Sequence, residues 1–73
     1  MGRRLEISAE HDLLTADETS QLTTIPPSSL HEYAVRAEAG LPAMGPPHIN
    51  LGPRRRRWRR GDVLAWLESR RVS

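Results

Sequence analysis

Sulfur chemistry is closed to this chain, because its 73 residues include no cysteine. That excludes disulfides, cysteine-bearing zinc sites and thiol catalysis, and leaves the redox compartment unread. Lysine is absent too: all eleven basic residues are arginine, a bias that a GC-rich genome produces as readily as a need for bidentate contacts. No apolar run approaches the roughly 18–20 residues of a membrane span, and Met1-Gly2-Arg3-Arg4 is not followed by the apolar stretch of a signal peptide. The expectation from these absences is a cytoplasmic protein with no membrane partner. The length leaves room for one domain with a modest core, which speaks against a roomy catalytic cleft.

Residue chemistry points the same way. His11, His31 and His48 are scattered, with no pair at ligand spacing. Asp17 and Glu18 are adjacent carboxylates, but their place in a first helical turn explains them as partners of the helix dipole. Thr15, Thr23, Ser28 and Ser29 have no evident base. We therefore expect no enzyme, no metal and no cofactor.

What is present is charge, unevenly spread. Residues 1–38 hold seven acids and three arginines, a net of −4, and residues 39–73 hold eight arginines and two acids, a net of +6. Six of the eight fall in Arg54-Arg55-Arg56-Arg57-Trp58-Arg59-Arg60, a local field that a polyanion would feel.

Residues 1–12 are charged and weakly patterned and read as a loosely ordered arm, with one domain over 13–73. Thr15 followed by Ala16-Asp17-Glu18 predicts a capping box and a first helix over 16–23, with Ala16 and Leu22 inward and Leu13, Leu14 and Ile25 at its borders. Thr24-Ile25-Pro26-Pro27 forces a turn, and Pro27 suits the first position of a second helix reaching about Ala39, ended by Gly40 and Pro42. Leu30, Tyr33, Ala34 and Ala37 form its apolar stripe, leaving Ser28, Ser29, Glu32, Val35 and Arg36 outside and His31 at the boundary. Residues 40–48 read as an irregular connector. Ile49 and Leu51, the Gly52-Pro53 turn and the returning Arg56–Arg59 segment predict a short basic hairpin with Trp58 packed inward. A last helix is expected over about 62–71, with Val63, Trp66 and Leu67 inward, Leu64 a further candidate for that face, and Trp66 at the centre of the core.

The expected fold class is thus mainly α with a small β-hairpin, in the order helix, turn, helix, hairpin, helix. A short turn between two helices is the arrangement that lays the second in a major groove. Ser28, Ser29, His31 and Glu32 lie near its start, where base edges are met, and Arg36 could reach a phosphate or guanine. The bland alternatives are two helices that simply pack with those polar residues as a solvated face, and an arginine run that is a solvated, self-repelling and disordered basic tail.

Leu13-Leu14-Thr15-Ala16-Asp17-Glu18, Ile25-Pro26-Pro27-Ser28-Ser29-Leu30, Ile49-Asn50-Leu51-Gly52 and Arg57-Trp58-Arg59-Arg60-Gly61-Asp62-Val63-Leu64-Ala65-Trp66-Leu67 together resemble the small excisionases and MerR-like winged helix-turn-helix proteins of phages and actinobacterial mobile elements. The resemblance covers about Leu13 to Arg71. Thr19, Thr23 and Thr24 stand where that family more often has Ala, Leu and Gly, and Pro26 replaces its usual capping serine. The resemblance implies an excisionase, or recombination directionality factor: a non-catalytic protein that binds and bends attachment-site DNA and directs an integrase toward excision. The expected DNA contacts are Ser28, Ser29, His31, Glu32 and Arg36 on the second helix and Arg54, Arg55, Arg56, Arg57 and Arg59 on the wing. The expected partners are double-stranded DNA, an integrase or other recombinase, and further copies of the chain on tandem sites. The alternatives are a small MerR-like transcriptional regulator and a protein-interaction module that binds no DNA.

Overall fold

The computed structural model of the chain describes residues 12–72, so most of the expected N-terminal arm lies outside the described residues. The elements are β1 (Leu13–Leu14), α1 (Ala16–Thr23), α2 (Pro27–Glu38), β2 (Ile49–Asn50), β3 (Arg56–Arg59) and α3 (Arg60–Ser69). Three helices pack with a three-stranded antiparallel sheet of order β1-β3-β2.

Local chemistry accounts for the helix boundaries. At the start of α1 the Thr15 hydroxyl accepts from the Glu18 N–H at 3.2 Å while the Glu18 carboxylate accepts from the Thr15 N–H at 2.9 Å, a reciprocal capping box. The helix ends at Thr24, whose backbone is left-handed (φ 62°) and whose N–H reaches the Ser20 carbonyl at 2.7 Å. Pro26 is extended and Pro27 opens α2, where its missing N–H costs nothing. At the other end Gly40 (φ 76°) lets its N–H reach the Ala37 carbonyl and the Leu41 N–H reach that of Arg36. This is the paired Schellman closure that a left-handed glycine permits.

The sheet has a member that the sequence did not disclose. Leu13 and Leu14, expected only as apolar borders of α1, form a strand whose register on β3 is Leu13 to Arg59 and Leu14 to Trp58. On the other side β2 pairs Ile49 with Arg57 and Asn50 with Arg56. β3 is therefore the central strand, and Trp58 lies within it.

That placement corrects the expected core. Trp58 is 1% exposed and packs with Leu14, Leu30, Ala34 and Val63, whereas Trp66 is only half-buried. Val63 takes the inward place on α3, and Trp66 instead flanks a groove with the end of α2 and the connector. The Arg70 guanidinium lies 5.3 Å from its ring centroid, a cation–π contact near the surface. α3 also begins two residues earlier than expected. Ala37, assigned to the inner stripe of α2, is exposed, and Leu64 is exposed on α3.

The inner face of α1 is likewise different. Thr19 and Thr23 are buried, while Ala16 and Leu22 only pack against the core's edge. Both hydroxyls are satisfied: Thr19 donates to the Thr15 carbonyl at 2.8 Å and Thr23 to the Thr19 carbonyl at 2.9 Å. The Thr23 oxygen also accepts the Ile25 N–H at 3.2 Å. Bonding back to the carbonyl four residues earlier lets a threonine serve as an interior residue without an unpaired polar atom.

Denaturant unfolding monitored by circular dichroism checks both assignments. Trp58→Ala is expected to cost about 3–5 kcal/mol and to unfold most of the protein, whereas Trp66→Ala is expected to cost about 1 kcal/mol. A reversed order would contradict the assignment of Trp58 as the centre. Thr24→Gly should stabilise by about 0.5–1 kcal/mol, because glycine takes the left-handed backbone without the Cβ penalty.

Candidate functional site

The hairpin between β2 and β3 is closed by local bonds. The Asn50 side-chain oxygen accepts the Gly52 N–H at 2.9 Å, the Arg55 N–H reaches the Gly52 carbonyl at 3.0 Å and the Leu51 N–H reaches the Arg55 carbonyl at 2.9 Å. Arg54 occupies the left-handed region (φ 60°), where an arginine is strained by roughly 1–2 kcal/mol. Together these bonds turn the chain tightly enough to put Arg54 and Arg55, both exposed, at the tip.

Arg54, Arg56 and Arg57 line a groove of about 260 Å³ with Pro27 and His31 from the opening turns of α2 and Thr15, Ala16 and Asp17 from the start of α1. Two elements predicted separately, the basic hairpin and the first turn of the second helix, thus share one concavity. The N-terminal ends of both helices border it, and their dipoles add positive potential to that of the arginines. The Asp17 carboxylate stands among these lining groups as a counter-charge.

The expected contact residues separate within this frame. Ser28, His31 and Glu32 are exposed and Ser29 is half-buried. The His31 ring also meets Trp58 edge-on, with centroids 6.0 Å apart, so the outer surface of α2 is tied to the core. Arg36 is exposed but donates through Nε to the Pro42 carbonyl at 2.9 Å, which braces the connector. Arg57 donates to the Arg56 carbonyl at 2.8 Å. Arg59 is half-buried opposite Leu13 in β3. Alternation along β3 puts Arg57 and Arg59 on one face and Arg56 with Trp58 on the other.

Arg56 has a partner that sequence reading missed. The Glu38 carboxylate accepts from Arg56 Nε at 2.9 Å and Nη2 at 2.8 Å, from Asn50 Nδ2 at 3.0 Å, and pairs with His48 Nε2 at 2.6 Å. The hydrogen bonds from Arg56 and then His48 hold the carboxyl well below the ordinary carboxylate range, at about 2, against a smaller opposing effect of burial. The Arg56 guanidinium is correspondingly pushed up by the same bond. One signal for Glu38 was available: an acid in the last turn of a helix sits at the negative end of the dipole and calls for a cation.

A second groove, of about 570 Å³, is lined by Tyr33, Leu41, Ala43, Pro46, Pro47 and Trp66 among others. Among the described residues no group of three or more His, Asp or Glu gathers as a metal site, and no helix is long and apolar enough to cross a membrane.

Comparison of the chain with known protein families, curated proteins and solved structures finds no match.

Acid should act on the Glu38 cluster first. A carboxyl depressed in the folded state contributes stability that is complete above its unfolded value near 4.5 and is lost as pH falls through about 2. Carboxyl resonances followed by NMR should show Glu38 titrating near 2, and Glu38→Gln should remove the part of the acid sensitivity that lies between those values. A midpoint near 4.5 would show that the cluster does not persist in solution.

Proposed function

We propose that the chain is a winged helix-turn-helix DNA-binding protein and acts as an excisionase. On this reading α2 enters the major groove and the β2–β3 hairpin is the wing that follows the neighbouring backbone. The observation that carries it is the common groove: Arg54 and Arg57 of the hairpin line the same concavity as Pro27 and His31 of α2. A helix start and a basic hairpin side by side are what a protein needs to touch base edges and flanking phosphates in one approach.

Under this proposal the exposed Arg54 and Arg55 supply salt-dependent affinity through displaced counterions. Ser28, Ser29, His31 and Glu32 supply sequence preference from the first turns of α2. A domain of this size binds one site weakly, so occupancy comes from several copies on adjacent repeats, with the acidic first half of one copy near the basic hairpin of the next. The bent array then directs an integrase toward excision. A MerR-like transcriptional regulator would use the same surface at promoters. The Tyr33 and Trp66 groove is the observation that favours the other class of reading, a protein-interaction module.

The deciding measurement is fluorescence anisotropy with duplex from the attachment region of the element that carries the gene, against random duplex, across a salt series. We expect attachment-region DNA to bind at least about a thousandfold more tightly. Arg54→Ala/Arg55→Ala should weaken both complexes and reduce the salt slope by about 2, close to 0.9 per phosphate contact. Equal affinity for all duplexes would remove the excisionase role, and no binding at low salt would move the interaction-module reading to the front. A footprint confined to promoter DNA would favour the regulator.

A further inference from the structure

From the arrangement around Glu38 we infer that this residue is a positioning residue for the hairpin, and that Arg56 is an internal strut rather than a DNA contact; the inference rests on the DNA-binding reading above. β2 is two residues long and shares two register pairs with β3, and a ribbon so short holds no fixed direction on its own. Trp58 anchors its base in the core. Farther up, Glu38 takes hydrogen bonds from residues of both hairpin strands, Asn50 on β2 and Arg56 on β3, and from His48 just before β2. Every one of those partners lies outside α2. The last turn of α2 is thereby fastened to the hairpin, whose tip carries Arg54 and Arg55.

Arg56 shares its sheet face with Trp58 and points both Nε and Nη2 at one carboxylate, a planar two-point contact that lysine could not make. Its charge is matched inside the protein. Of the four consecutive arginines of the hairpin, Arg54 and Arg55 are exposed and Arg56 and Arg57 half-buried. The strut sets the angle at which the exposed pair leaves the body, and so sets the distance between the hairpin tip and the opening turn of α2.

Charge and positioning predict opposite signs for one substitution. Removing an acid beside a polyanion-binding surface strengthens binding if the acid matters only as charge. If Glu38 holds the hairpin, its removal weakens binding.

The experiment uses the full chain, a 20-base-pair (about two helical turns) duplex of random sequence, and amide hydrogen exchange without DNA. We expect Glu38→Ala to remain folded, to speed exchange at the Leu51 and Arg55 N–H groups about tenfold while leaving Thr24 unchanged, and to weaken duplex binding about tenfold. The exchanged pair Glu38→Arg/Arg56→Glu keeps the net charge and re-forms the ion pair, though not the bonds from Asn50 and His48, and should bind more tightly than Glu38→Ala despite carrying one positive charge fewer. If Arg56 instead meets a phosphate, a glutamate there repels DNA and the exchanged pair binds more weakly than Glu38→Ala, which overturns the strut. Unchanged exchange at Leu51 and Arg55, or tighter binding by Glu38→Ala, overturns the positioning role. Should the unaltered protein bind no duplex at all, the DNA reading fails by itself, and the exchange rates alone decide whether Glu38 holds the hairpin.

Discussion

Burying Trp58 ties the helices, the sheet and the basic hairpin into one body. The chain has two tryptophans, one tyrosine and no phenylalanine, so a single large ring has to fill most of the space between helices and sheet. It does so from the middle strand, against Leu14 from β1, Leu30 and Ala34 from α2, and Val63 from α3. The rings of His31 and His48 each stand about 6 Å from it. Because Trp58 lies in β3, the burial that closes the core also fixes the base of the basic hairpin, and the folding of the body and the placing of its charged surface become one event.

A small core leaves little apolar material for α1, whose inner face is finished with threonine. Thr19 and Thr23 fold their hydroxyls onto backbone carbonyls one turn earlier and are buried without an unpaired polar atom. The cost is a tight helix end, with Thr24 carrying a left-handed backbone that glycine would take more readily. The benefit is a short turn that sets α2 beside α1 at once, with Pro27 already shaped for the first helical position.

The arginine run divides its labour. Arg56 is neutralised by Glu38, Arg57 donates to the backbone, and Arg54 and Arg55 project from the body at the tip. The proposed DNA contact then draws on fewer charges than the run contains, and depends on an acid that counting charges would treat as a hindrance.

Local chemistry was sufficient for much of the architecture. Thr15 with Glu18, Pro26-Pro27, Gly40 and Gly52-Pro53 each act on neighbours within a few residues, so the limits of α1, the start of α2, its glycine closure and the hairpin could be read before any packing was known. Period-two alternation also placed Trp58 inward. Other features came from contacts between residues far apart in the chain. Leu13-Leu14 is a strand only because β3 lies beside it, with Leu13 opposite Arg59 and Leu14 opposite Trp58. Trp66 shares a helical stripe with Val63, and periodicity gives the direction of a side chain without the depth of the body behind it, so the choice between two tryptophans fell to packing. Glu38 sits among ordinary exposed residues until His48, Asn50 and Arg56 are brought to it. Neighbouring residues alone were enough to mark which segments are helix, turn and hairpin and where the positive charge lies. Which tryptophan forms the core and which arginine is committed were settled only in three dimensions, because both depend on distances between elements that no local pattern encodes.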